Sequence, residues 1–241
     1  MFDSTVALTP EQVEWLDECT KGTWQLNPQT GLVDVDGDFS CSGQGLSDFK
    51  GVRFGEVGGY FSCSNNQLTS LEGAPQKVGG YFSCSNNQLI SLEGAPREVR
   101  GNFVCDNNQL TTLEGAPQKV GGWFECSRNQ LTTLEGAPQV VRGYFNCHTN
   151  QLTSLEGAPQ KVGGSFNCHN NPVDNKTLKS IFGIMETGKG YLESVEYLWP
   201  EISLDDQILL YRPEFEWVGA DEARKLEALK AYQGFKGMIY I

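Results

Sequence analysis

Between residues 39 and 173 the apolar positions of the chain recur on a fixed period. Phe61, Phe82, Phe103, Phe124, Phe145 and Phe166 stand 21 residues apart, and Phe39 precedes the first by 22, giving seven copies with one inserted residue near the start. Two residues after each Phe comes a cysteine: Cys41, Cys63, Cys84, Cys105, Cys126, Cys147 and Cys168. Residues two apart on a strand share a face, so Phe82 and Cys84 point inward while Tyr81, Ser83 and Ser85 point outward. Six copies continue to an asparagine (Asn66, Asn87, Asn108, Asn129, Asn150, Asn171), and five then carry two leucines, as in Leu110 and Leu113. One strand per copy, stacked on the next, predicts a parallel sheet in a repeat solenoid.

The polar positions fix how each copy turns. The Asn sits where the chain leaves the strand, and its side-chain amide can satisfy backbone groups that would otherwise be buried unpaired. Pro75, Pro96, Pro117, Pro138 and Pro159 hold φ near −65° and disfavour helix, and the Gly and Ala before them leave little bulk, so the return side of each coil should be extended.

The phrase F-x-C-x-x-N-x-L-x-x-L resembles the leucine-rich repeat, with Phe and Cys in the places of the strand leucines. The resemblance covers residues 37 to 173, and the short period with its "LEGAP" half is similar to the short bacterial class of these repeats. It implies a mainly β member of the α/β class: a right-handed leucine-rich-repeat solenoid with a parallel, concave sheet. Similar short repeats occur in secreted bacterial effectors and in tailed-phage proteins.

Both ends read as caps of the stack. Residues 1–36 begin with "TPEQVEWLDECTKG", where Thr9 is the N-cap, Pro10 opens a helix, Gln12 completes a capping box, and Gly22 marks the expected end. Two extended runs around "NPQTG" then lead into the first repeat. After residue 173 the leucine pattern stops, and 174–241 reads as a helical C-terminal domain of four short helices, starting at Asp174 or Asn175, at Tyr191, behind Ser203 and at Asp221, with a final strand in "GMIYI".

Composition narrows the function. The chain has 241 residues, 39% hydrophobic, enough to bury a core, and a net charge of −12 without a Lys/Arg cluster, which disfavours nucleic acid and favours a basic protein partner. The start lacks the pattern of a signal peptide and no apolar run reaches the roughly 18 residues of a membrane span, so a cytoplasmic protein with reduced thiols is expected. The cysteines are then packing residues, small enough for the inner column of a narrow coil, rather than disulfides or metal ligands.

Catalytic signatures are absent: there are two histidines, no G-x-S-x-G elbow, no P-loop and no H-E-x-x-H. The bacterial effectors with similar repeats can carry a cysteine ubiquitin ligase, but no cysteine follows Cys168. "DVDGDF" offers Asp34, Asp36 and Asp38 to calcium, yet Phe39 takes the place of the required Gly, so these read as solvent-facing strand positions. Glu72, Glu93, Glu114, Glu135 and Glu156 form an acidic edge, read as solvated. His148 and His169 share a column on adjacent rungs; zinc with Asp106 or Glu125 is the sharper reading, surface histidines the plainer, and no metal or other cofactor is expected.

What varies is the outward face. Before the Phe column stand Asp38, Tyr60, Tyr81, Asn102, Trp123, Tyr144 and Ser165; the next outward column diversifies from serine to Glu125, Asn146 and Asn167, and the third to Asp106, His148 and His169. Exposed aromatics beside charged and amide side chains are the composition of an interface core. The expected function is non-catalytic protein recognition by Tyr60, Tyr81, Asn102, Asp106, Trp123, Glu125, Tyr144, Asn146, His148, Asn167 and His169. The rival expectations are an enzyme within 174–241 and a self-associating assembly component.

Overall fold

A computed structural model describes residues 7–164 and 166–173. The helices expected over 174–241 lie outside the described residues, as does Ser165. The Phe-x-Cys segments form rungs of a parallel β-solenoid: the end of β2 (Leu32–Ser40), then β4 (Phe61–Ser62), β6 (Phe82–Ser83), β8 (Phe103–Val104), β10 (Phe124–Glu125), β12 (Phe145–Asn146) and β14 (Phe166–Asn167). Each Phe pairs in register with the Phe of the next rung. Seven rungs enclose about six turns.

One strand per copy is too few. The return side of each coil carries a second ladder, β3 (Arg53–Val57), β5 (Lys77–Val78), β7 (Glu98–Val99), β9 (Lys119–Val120), β11 (Val140–Val141) and β13 (Lys161–Val162), also parallel. The long β2 joins the ladders, pairing with β3 through Leu32–Val35 and with β4 through Phe39–Ser40. Its other edge is the antiparallel partner of β1 (Thr20–Asn27). The inserted residue of the first coil lies within β3, where Phe54 turns inward and packs against Phe39, Phe49 and Phe61.

The core follows from the period. All seven Phe rings are fully buried, and successive rings stack with centroids 5.1 to 5.6 Å apart. The Cys column, two Leu columns and the Val column of the return ladder are buried beside them. Burying each large apolar side chain contributes about 1.5–3 kcal/mol, so every added coil lengthens the core by a fixed increment.

Asparagine closes the turn. Asn108 Nδ2 donates to the carbonyls of Cys84, Cys105 and Asp106 at 3.0, 3.1 and 3.3 Å, and its Oδ1 accepts the Leu89 N–H at 3.1 Å. The same set recurs at Asn66, Asn87, Asn129, Asn150 and Asn171. On the return side Gly115 has φ of +90°, and a Cβ there would meet the Leu92 carbonyl oxygen at 2.4 Å. Only glycine fits.

The helix α1 (Pro10–Cys19) starts at a capping box between Thr9 and Gln12 and buries Trp15, Leu16 and Cys19. Trp15 meets the Phe39 and Phe54 rings edge-on. The helix stops before Gly22 because Thr20 and Lys21 are already paired with β2.

A diversified outward face

The three outward columns lie side by side on the Phe-rung ladder, but they are not equally open. Ser62, Ser64, Ser85 and Ser127 face outward by register yet are buried. On the early rungs the hydroxyls bond to one another: Ser42 to Ser62 and Ser64 to Ser83 at 2.7 Å across rungs, with Ser62 to Ser64 and Ser83 to Ser85 at 3.4 Å along them. Ser85 donates to Asp106 at 2.5 Å, which ends the chain of hydroxyls on a carboxylate. Rungs with only serine therefore offer a partner little beyond hydrogen bonds already made.

From Asp106 onward the face changes. Glu125 accepts the Ser127 N–H at 3.1 Å and Asn146 Nδ2 at 2.8 Å. Burial pushes its carboxyl above the usual range, and the nearby Asp106 adds to that. Asn146 Oδ1 accepts the His148 N–H, and Asn167 Oδ1 the His169 N–H. The His148 and His169 rings stack at 4.4 Å and 10°, with His148 Nδ1 on Thr149 Oγ1 at 2.8 Å and His169 Nδ1 on Asn167 Oδ1 at 2.7 Å. Burial first, then His169 and Arg128, hold the His148 imidazole down at about 4.

Among the described residues no group of three His, Cys, Asp or Glu is placed to hold a metal. Asp34 and Asp38 are half-buried rather than solvated, accepting the Glu56 and Tyr60 N–H groups of the next rung at 2.8 and 3.0 Å. The cysteines are free thiols, and those from Cys41 to Cys147 donate to the carbonyl one rung on, at 3.3 to 3.7 Å. Burial drives the Cys41 thiol up to about 12 and those of Cys63 through Cys147 well above their ordinary value, which disfavours the thiolate in each.

The aromatic column is broken into pairs. Tyr60 and Tyr81 stack at 4.8 Å and 7°, and Trp123 and Tyr144 meet at 4.4 Å with a 39° tilt. Ahead of each pair an Asx side chain accepts the N–H of its first aromatic, Asp38 for Tyr60 and Asn102 for Trp123, both at 3.0 Å. Tyr81, Trp123 and Tyr144 remain 39, 38 and 37% exposed. The sequence displays the Asx-aromatic-aromatic order twice, but its structural meaning needs the cross-rung register.

A further feature lies one residue beyond the third column. There the backbone is left-handed, with Asn at 65, 86, 107 and 170 and with Arg128 at φ 52° and Thr149 at φ 54° instead. Asn tolerates this region, whereas a β-branched Thr is an outlier in it. Both exceptions stand beside the diversified rungs. Of the expected site residues, Trp123, Glu125, Tyr144, Asn146 and His148 thus come together on rungs five and six, Asn167 and His169 continue them, Asn102 and Asp106 border them, and Tyr60 and Tyr81 form the separate pair.

No helix among the described residues is long and apolar enough to cross a membrane. The sequence matches no protein-family model and no curated protein.

Proposed function

We propose that this protein is a non-catalytic recognition module that binds a protein partner through the outward face of its Phe-rung ladder, centred on Trp123, Glu125, Tyr144 and His148. One observation carries the reading. The copies of the repeat act as their own comparison: from the second copy to the sixth the Phe, Cys, Asn and two Leu positions stay fixed, while the differences concentrate on the three outward columns. Large aromatic side chains held on a rigid strand bury area at low entropic cost, which is what dominates interface energies.

The resemblance to leucine-rich repeats supports a right-handed coil with this face concave, α1 and the β1–β2 hairpin as its N-terminal cap, and a helical domain in 174–241. By the same analogy an inhibitor or adaptor of a host protein, of phage or bacterial origin and acting in the cytoplasm, is the natural extension. The net charge of −12 favours a basic partner surface.

The test is affinity capture from host lysate with wild type and with Trp123→Ala/Tyr144→Ala, both first shown to melt alike. Loss of the captured partner in the double variant is expected, with Ser64→Ala retaining it. Retention at full affinity would place recognition elsewhere, and concentration-dependent self-association with no captured protein would favour an assembly role.

A further inference from the structure

Tyr81, Asn102 and Trp123 precede Phe82, Phe103 and Phe124, which pair directly, so they occupy three consecutive rungs. Tyr81 has one ring face against Tyr60, and Trp123 has one against Tyr144. The other faces look towards the Asn102 rung. Asn102 carries no ring, and its side chain lies down on the backbone: Oδ1 accepts the Trp123 N–H, and a Cβ built on Gly122 would come within 2.0 Å of it. A slot results between two aromatic faces. Its walls are two rungs, or about 9.6 Å, apart at the usual strand spacing of about 4.8 Å. A planar group at its middle would sit about 4.8 Å from each ring. That equals the 4.8 Å between Tyr60 and Tyr81.

The surroundings choose among planar groups. Glu125 lies on the Trp123 rung directly opposite Val104, and Asp106 follows Val104 by two residues on the Asn102 rung. No ion pair from a described residue engages either carboxylate; the two found are Lys77–Glu56 and Arg100–Glu98. Arg128 stands beyond Ser127 at the turn, where its charge is felt at His148. A phenyl ring would leave the carboxylates uncompensated, and a nucleobase would bring a phosphate towards them. A guanidinium is planar, stacks on aromatic faces, carries the complementary charge, and has a methylene stem that Val104 can cover.

We propose that the slot between Tyr81 and Trp123, floored by Asn102 and continued on one side by Val104 and Glu125 and then by Asp106, receives an arginine side chain of the partner. This rests on the recognition reading above and names the group recognised.

The probe is L-argininamide, with L-citrullinamide as its neutral isostere, titrated into the whole protein by NMR. The Trp123 indole N–H is assigned with Trp123→Phe. Argininamide should shift that resonance saturably, and citrullinamide should bind about tenfold more weakly, the ratio expected from losing a cation–π contact with a charge pair. Asn102→Tyr continues the ring stack as Tyr81 does on Tyr60, and should keep the melting temperature while abolishing the shift. Glu125→Gln should weaken binding without unfolding the chain, which keeps the test decisive if Asn102→Tyr fails to fold. Equal shifts from both amides, no shift, or a shift that survives in the slot variants overturns the proposal. A partner captured by wild type and Asn102→Tyr but not by Trp123→Ala/Tyr144→Ala would sink the slot and leave the recognition reading standing. Argininamide binding as described, with capture indifferent to every variant, would leave the slot able to hold a guanidinium but overturn both the recognition reading and the assignment of that guanidinium to the partner.

Discussion

At the scale of single residues, the fold depends most on an amide that both gives and accepts. Asn108 donates to three carbonyls and accepts one N–H, all in the buried turn. Asn108→Ala should cost about 3 kcal/mol in urea unfolding, because several buried polar groups lose their partner. Asn108→Asp should be worse at pH 7, since a carboxylate oxygen would face those carbonyls, and should recover in part on acidification; an Asp variant as stable as wild type would refute this role. His148 makes a pH prediction. Its folded value of about 4 lies below its ordinary 6.5, so the unfolded chain binds the proton more readily, and stability falls as pH drops from 6.5 towards 4. The raised carboxyl of Glu125 acts in the opposite sense, because protonation relieves its burial. The melting temperature of wild type relative to His148→Gln should therefore fall as pH drops through that window; a constant difference from pH 7 to 4.5 would contradict the burial of His148. The asparagine turn was legible in the sequence because it recurs at a fixed offset from Phe-x-Cys. The burial of Ser62, Ser64 and Ser85 was not, because alternation tells only which way a side chain points and not how closely the neighbouring rungs crowd over it.

At the scale of the element, each coil is two short strands and the turns that join them, stable only through its neighbours. The Phe rungs were legible because period-two alternation and the 21-residue repeat agree. The second ladder was hidden: Lys77–Val78 and its equivalents show one buried residue each, too short a run for periodicity, and cross-coil pairing makes them strands. The αL column was equally hidden, since Arg128 and Thr149 are not residues that announce a left-handed turn. Repetition also predicts what the chain tolerates. Deleting residues 79 to 120 removes two whole coils and lets equivalent rungs meet, so a shorter protein with cooperative, lower-temperature unfolding is expected by circular dichroism. Deleting ten residues from the same region puts Phe and Leu out of register and should abolish the cooperative transition. The opposite ranking would be incompatible with a nearest-neighbour stack.

At the scale of the whole molecule, a nearly uniform scaffold is modified along one face, and some of the modifications cost stability. Thr149 and Arg128 hold a left-handed backbone that Asn accepts more readily, by about 1 kcal/mol each. Glu125 is a carboxylate held above its usual range by burial, and the half-buried His148 imidazole adds a cost of its own as pH drops below 6.5. If that face exists for recognition, returning it to the pattern of the early rungs should stabilise the protein and silence it. The decisive measurement combines Glu125→Ser, Arg128→Asn, Asn146→Ser, His148→Ser and Thr149→Asn in one chain, then reads its urea midpoint and its capture of the wild-type partner side by side. The account predicts a higher midpoint and a lost partner. A variant no more stable than wild type that still captures the partner in full would contradict it.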